Sequence, residues 1–152
     1  LTPLAALERL ETPPGIVLGL GQNGLATVRA LGRQGVPVIG IDADLEQATA
    51  RSRYCLPVRC HGFKAGNGAL LDTLLDLGRQ LPRRGMLFPS GDLNLALVSE
   101  QREALAPYFH FALPDREAVR LVLDKRAFYA FALQTGFPIP PTRFLDGHDA
   151  AA

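Results

Sequence analysis

The run Gly15-Ile16-Val17-Leu18-Gly19-Leu20-Gly21 constrains this chain more than any other stretch. Its apolar residues are continuous rather than alternating, which suits a strand buried on both faces, hence a parallel sheet. From Asn23 to about Gln34, Leu25, Ala26, Val28 and Leu31 recur at helical spacing, and Gly35 stands just past the end. A strand, a tight glycine turn and a helix make the opening of a βαβ unit. Its return strand must lie parallel to the first, through a right-handed crossover.

The remaining segments extend the alternation. Val36–Ile41 reads as a second buried strand, with Pro37 near its start, where a missing donor is tolerated. Residues 54–60 form a third strand that Pro57 pushes toward a sheet edge. Asn67–Leu81 carries Leu70, Leu71, Leu74, Leu75 and Leu77 on one helical face and stops at Pro82. Met86–Pro89 is a fourth strand, Ser90-Gly91-Asp92 turns into one helix running to about Leu105, and Phe109–Leu113 is a fifth strand. Helices over Asp115–Leu123 and Asp124–Gln134 follow, then an extended Phe137–Phe144. The pattern predicts a Rossmann-like three-layer α/β/α fold, with a mostly parallel sheet of about five strands followed by a helical linker. The expected boundaries are a lead-in over 1–14 ending in Thr12-Pro13-Pro14, an α/β domain over 15–114, and a linker that begins a further domain over 115–152.

Composition excludes several functions. The 152 residues, 47% hydrophobic, suffice for a buried core, and 16 basic against 15 acidic residues leave no field drawing the chain to nucleic acid or membrane. Trp is absent and aromatic residues are 7%, too few for a base-stacking platform. No run approaches the ~20 apolar residues of a membrane span, and LTPLAALERL lacks a basic leader with a long apolar core. Both ends read as cut, the expectation for an excised piece. Cys55 and Cys60, five apart, fall on opposite faces of a strand, a poor disulfide geometry, so buried thiols in a reducing cytoplasm are expected. His61, His110 and His148 are scattered. They complete no zinc site and no nucleophilic triad, so no catalytic or metal-ligating residue is assigned.

Three places can carry chemistry. Gly19-Leu20-Gly21-Gln22-Asn23-Gly24 matches G-x-G-x-x-G between strand and helix, where free N–H groups favour an anion. Asp42, 18 residues beyond Gly24, stands where a ribose-binding carboxylate would, or simply caps its own loop. Ser90 and Asp92 flank Gly91 at the sheet's C-terminal edge, as ligand contacts or as helix caps. Asp124 is a natural N-cap, and Lys125 in the first turn opposes the helix dipole unless an anion such as a nucleotide phosphate offsets it; a solvated lysine is the plain alternative. Arg51, Arg53, Arg59 and Lys64 flank the third strand as a solvated edge or a local basic patch. The residues alone leave open a nicotinamide-binding Rossmann module of a redox enzyme or sensor, and a non-catalytic scaffold.

The order GIVLGLGQNGLATVRALGRQGVPVIGIDAD, SRYCLPV, LFPSGDLNLALVSEQREAL, LDKRAFYAFALQTGFPIPPTRF resembles the N-terminal part of ATP-grasp carboxylate–amine ligases of the carbamoyl-phosphate-synthase-like, biotin-carboxylase-like and amino-acid-ligase-like kinds. The resemblance covers about residues 15–145. It implies a pre-ATP-grasp domain, the substrate side of an enzyme that activates a carboxylate as an acyl phosphate for attack by an amine or thiol. On that resemblance Gly19, Gly21, Asn23, Gly24, Ser90 and Asp92 bind a small carboxylate substrate, and Lys125 reaches ATP phosphates. ATP and Mg2+ serve the intact parent, with neither held tightly by this piece alone. The partner implied is the C-terminal ATP-grasp domain, which carries the phosphate lysines, the lid and the acidic metal ligands; without it the piece is expected to be inactive. Relatives of this kind often dimerise, so a homodimer is a further expectation, with no surface assigned.

Overall fold

The computed structural model describes residues 12–63 and 68–143. Within the first part of the chain, β1 (Gly15–Leu18), β2 (Val38–Asp42), β3 (Leu56–Arg59), β4 (Gly85–Pro89) and β5 (Phe109–His110) form one sheet in the order β3-β2-β1-β4-β5. Every pairing is parallel. β1 is central, and Ile16, Val17 and Leu18 have no exposed surface. This is the condition that its unbroken apolar run anticipates.

The helices between the strands are α1 (Gln22–Arg33), α2 (Ala69–Gln80), α3 (Asp92–Glu100) and the short α4 (Arg102–Leu105). Successive strand residues face opposite ways, so the core divides in two. Val17 and Val38 pack with Val28 and Leu31 of α1, while Ile16, Leu18, Ile39, Ile41 and Leu87 pack with Leu70, Leu74 and Leu77 of α2 and with Val98 and Leu105. Helices thus cover both faces, as expected for the three-layer fold. Each fully buried aliphatic side chain of this kind stabilises the fold by roughly 1.5–3 kcal/mol relative to exposure.

Three local expectations change. The single helix expected to run to Leu105 breaks at Gln101, which leaves helical geometry at φ −102, ψ 20. Beside the break the Ser99 carbonyl accepts Arg102 Nε at 3.1 Å. The fifth strand is Phe109–His110 only, paired with Gly85 and Met86 at the start of β4. The helix expected from Asn67 begins at Ala69, after a left-handed Gly68 at φ 83; Asn67 itself lies outside the described residues. Pro57 sits on β3, an edge strand as anticipated. α1 ends as predicted, with Gly35 at φ +77.

Contacts divide the chain into two compact units at the Leu113–Pro114 junction. In the second, α5 (Arg116–Leu123) and α6 (Lys125–Gln134) are capped by Asp115, which accepts the Ala118 N–H at 2.8 Å, and by Asp124, which accepts the Ala127 N–H at 3.0 Å. After α6, Gly136 adopts φ +72 and the Phe137 N–H returns to the Ala132 carbonyl at 2.8 Å, closing the helix end. Residues 137–143 carry no regular secondary structure. The lead-in before Thr12, Lys64, Phe144 and His148 fall outside the described residues. Among the described residues no helix is long and apolar enough to cross a membrane.

Candidate functional site

In the order β3-β2-β1-β4-β5 the connections leave β1 and β4 in opposite directions, which makes the β1/β4 boundary a topological switch point. Open α/β sheets offer a crevice beyond the strand C-termini at such a point. A cleft of about 400 Å³ lies there. Gly19, Gly21, Gln22 and Asn23 line it from the β1–α1 turn, and Ser90, Gly91 and Asn94 from the β4–α3 turn. Asp42, Gln47 and Phe63 complete the wall.

The two turns are buckled together at one carbonyl. The oxygen of Leu18 accepts the Ser90 N–H at 3.0 Å and Asn94 Nδ2 at 2.9 Å, and Ser90 Oγ lies 2.7 Å away. Ser90 Oγ is also 2.7 Å from the Gly19 oxygen, so its single proton serves one of the two carbonyls at a time. Asn23 Nδ2 makes a longer reach of 3.4 Å to the Ser90 oxygen. On the far side, Asp42 Oδ2 accepts the Leu20 N–H at 2.7 Å and Oδ1 accepts the Asp44 N–H at 3.1 Å. Of the two roles left open for Asp42, the structure therefore displays the brace of its own turns.

The three motif glycines separate by cause. Gly19 has φ +94, and a Cβ there would stand 2.7 Å from Ser90 Oγ. Gly24 is buried, and a Cβ there would collide with the Gly19 carbonyl oxygen. Gly21 has an ordinary φ of −66, and a Cβ there would meet nothing within 4 Å. Sterics thus demand the first and third glycines but not the second, which faces the cleft.

Gly21 is also the N-cap of α1 and Gly91 that of α3, and neither helix start receives a side-chain cap. The leading N–H groups of a helix have no intrahelical partner. Those of both helices open beside the cleft, in contrast to the aspartate-capped starts of α5 and α6. Electrostatically the cleft combines two partial positive helix ends with the Asp42 carboxylate.

Of the residues singled out in the sequence, Gly19, Gly21, Asn23 and Ser90 come together here. Gly24 lies under the turn as packing, and Asp92 is exposed in the first turn of α3; neither lines the cleft. Gln47, Phe63 and Asn94 were not anticipated. Asn94 is 7% exposed, and its signal was a lone amide within the apolar run LNLALV. No local signal marks Phe63 or Gln47.

Lys125 is exposed in the first turn of α6, in the second unit. With Arg120, Leu123, Asp124 and Arg126 it borders an open hollow of about 640 Å³. In the first unit, Arg51 pairs with Glu46, Arg53 donates to the Tyr54 hydroxyl at 2.6 Å, and Arg59 donates to the Ala43 carbonyl at 2.8 Å. They behave as individually engaged edge residues. Both cysteines are free: Cys60 is buried with the Leu18 cluster and Cys55 packs on the Val17 side, so they do occupy opposite faces. Burial pushes the Cys55 thiol up from 9.0 to about 11, against a smaller opposing hydrogen bond from the Gly40 backbone. Among the described residues no group of His, Cys, Asp and Glu could hold a metal ion.

Known proteins show related features. No family model matches the chain. It is 28% identical over 133 residues to the carbamoyl phosphate synthase large chain of Vibrio cholerae serotype O1, a match that covers 82% of this chain and 12% of that one. Among solved structures, the biotin carboxylase domain of a single-chain bacterial carboxylase superposes with a TM-score of 0.59 at 18% identity, covering 86% of this chain and 30% of that one. The chain therefore spans a small part of the relatives it matches.

Proposed function

We propose, from the premise that the chain is a carbamoyl-phosphate-synthase/biotin-carboxylase-like N-terminal α/β domain, that it forms the substrate side of an ATP-dependent ligase joining a carboxylate to an amine or thiol. The observation that carries this reading is Gly21. The fold does not need a glycine there, yet one stands at an uncapped helix start facing the switch-point cleft. A position kept small without an internal steric reason suits close approach of a ligand to the backbone. A substrate carboxylate would take the open N–H groups of α1 and α3, with Asn23 beside it and the Leu18–Ser90–Asn94 buckle holding both turns in place. Of the other predicted residues, Gly19 and Ser90 shape that backbone, Gly24 packs it, and Asp92 adds charge at the start of α3.

Residues 15–114 would then be the pre-ATP-grasp domain, and 115–152 the linker into the ATP-grasp domain, its partner. Lys125 and the neighbouring hollow suit a phosphate group in charge and exposure, so Lys125 would hold ATP phosphates in the whole enzyme. ATP there supplies the activation of the carboxylate as an acyl phosphate. Magnesium would be carried by residues beyond those described, and this piece would be inactive alone. A cytoplasmic location agrees with the free thiols.

A nicotinamide module would need Asp42 to hold a ribose hydroxyl in addition to the Leu20 and Asp44 N–H groups that its two oxygens accept. Two measurements test the proposal. The reading frame is expected to continue past Ala152 for about one further domain or more, and the full-length protein to release ADP from ATP only when a carboxylate is supplied. A stop codon shortly after Ala152, or saturable NAD or NADP binding to this chain that Asp42→Ala abolishes, would overturn it.

A further inference from the structure

We infer that the switch-point cleft takes a small zwitterion, a molecule carrying both a carboxylate and a protonated amine, and rejects phosphorylated ligands. The inference rests on the carboxylate reading above and specifies the other end of the ligand. Among the described residues that line the cleft, none is Lys, Arg or His, and the one formal charge is the Asp42 carboxylate. A phosphate dianion would meet that charge with only partial helix-end charges to hold it. Arg and Lys are the side chains that hold phosphate by charge-assisted hydrogen bonds, and the cleft lining supplies neither.

The acceptors of the cleft ask for a donor. Asn94 is 93% buried, since only 7% of it is exposed. Its Nδ2 is committed to the Leu18 carbonyl, which orients Oδ1 as the free end of the amide. Oδ1 accepts nothing among the described residues, and no buried side-chain oxygen or nitrogen is left sealed without a partner. Asn94 Oδ1 is thus open to the cleft that Asn94 lines. Asp42, 5% exposed, presents its remaining lone pairs to the same space. The cleft thus offers both kinds of partner: acceptors in the Asn94 amide oxygen at the start of α3 and the Asp42 carboxylate at the end of β2, and donors in the open N–H groups of the uncapped α1 and α3 starts. An ammonium group satisfies the first and a carboxylate the second. The volume of about 400 Å³ admits an amino acid with room for a side chain against Phe63.

The test is a titration of this chain with glycine, β-alanine, acetate, methylammonium and inorganic phosphate, followed by the amide resonances of Gly21, Gln22, Asn23 and Gly91 and by the side-chain amide of Asn94. Glycine or β-alanine is expected to saturate these shifts at a concentration at least tenfold below acetate or methylammonium, with phosphate weakest. In Asp42→Asn that tenfold preference over acetate should vanish; if the variant unfolds, the ligand series on the unaltered chain decides alone. Acetate equal to glycine would overturn the inference while leaving the carboxylate site standing. Phosphate binding more tightly than glycine would overturn it outright. No shift with any of the five would overturn the inference and the carboxylate site together.

Discussion

Asp42 Oδ2 accepts the backbone N–H of Leu20 across 22 residues of sequence, at 2.7 Å, from a side chain that is only 5% exposed. The end of β2 thereby holds the turn that follows β1. Asp42→Ala would leave the Leu20 N–H buried without a partner, a loss of about 1–3 kcal/mol. Urea unfolding is expected to show a lower midpoint with an unchanged slope. Asp42→Asn, which keeps one acceptor, should lose less than Asp42→Ala.

Gly21 and Gly24 should behave oppositely. A Cβ at Gly24 runs into the Gly19 carbonyl, a backbone atom that cannot rotate away, so Gly24→Ala is expected to cost about 3 kcal/mol, the upper end for overpacking. Gly21→Ala meets open space and should cost no more than about 1 kcal/mol, the ordinary difference between Gly and Ala at an N-cap. Its larger effect belongs to the ligand: glycine binding by the chain should weaken while the melting temperature falls far less than in Gly24→Ala.

Asn94→Ala removes one of the donors to the Leu18 carbonyl, but the Ser90 N–H and Oγ remain. The expected loss is therefore about 1 kcal/mol, a drop of roughly 4–8 °C in Tm for a unit of about 100 residues. Ser90→Ala combined with Asn94→Ala should lose more than the sum of the single changes, because the carbonyl keeps only its backbone partner. A double-mutant cycle reads this directly.

The Cys55 thiol, raised from 9.0 to about 11 by burial, retains its proton in the folded chain at pH values where the unfolded chain has lost it. The folded state then binds more protons than the unfolded one between about pH 9 and 11, so stability falls with rising pH across that window. Cys55→Ala should remove part of this fall, measured as Tm against pH from 8 to about 11. Alkylation of Cys55 at pH 8 should be slower than that of free cysteine.

Lys125 is exposed at the start of α6, and Lys125→Ala is expected to alter the stability of this chain by less than about 0.5 kcal/mol. In the full-length protein the same change should raise KM for ATP by about tenfold or more, the loss of one charge-assisted hydrogen bond. An unchanged KM would remove Lys125 from the nucleotide site.

The elements that read well from sequence were those whose cause is local. The unbroken apolarity of Ile16–Leu18 required burial on both faces, and β1 is the central strand. Asp115 and Asp124 stood at the starts of helical periodicity, and both cap their helices. Gly35 ended α1. The break at Gln101 carries no local signal, because the residues around it keep helical preference; only the structure shows Gln101 out of helical geometry, with Arg102 Nε on the Ser99 carbonyl beside it. Asn94 showed as a lone amide in an apolar helix, without any indication of what it would hold.

Sequence by itself determined the order of strands and helices, the aspartate caps of α5 and α6 and the parallel alternation, because periodicity and φ preference are set by residues within a turn or two of one another. Tertiary structure alone decided that β1 lies beside β4, that Leu18 and Asn94, 76 residues apart, share a hydrogen bond, and that Asp42 braces a turn. It also separated the glycine motif into two positions the backbone requires and one it does not. Those outcomes depend on which crossovers bring distant backbone atoms within ~3 Å of one another, a property of the assembled sheet that no single segment carries.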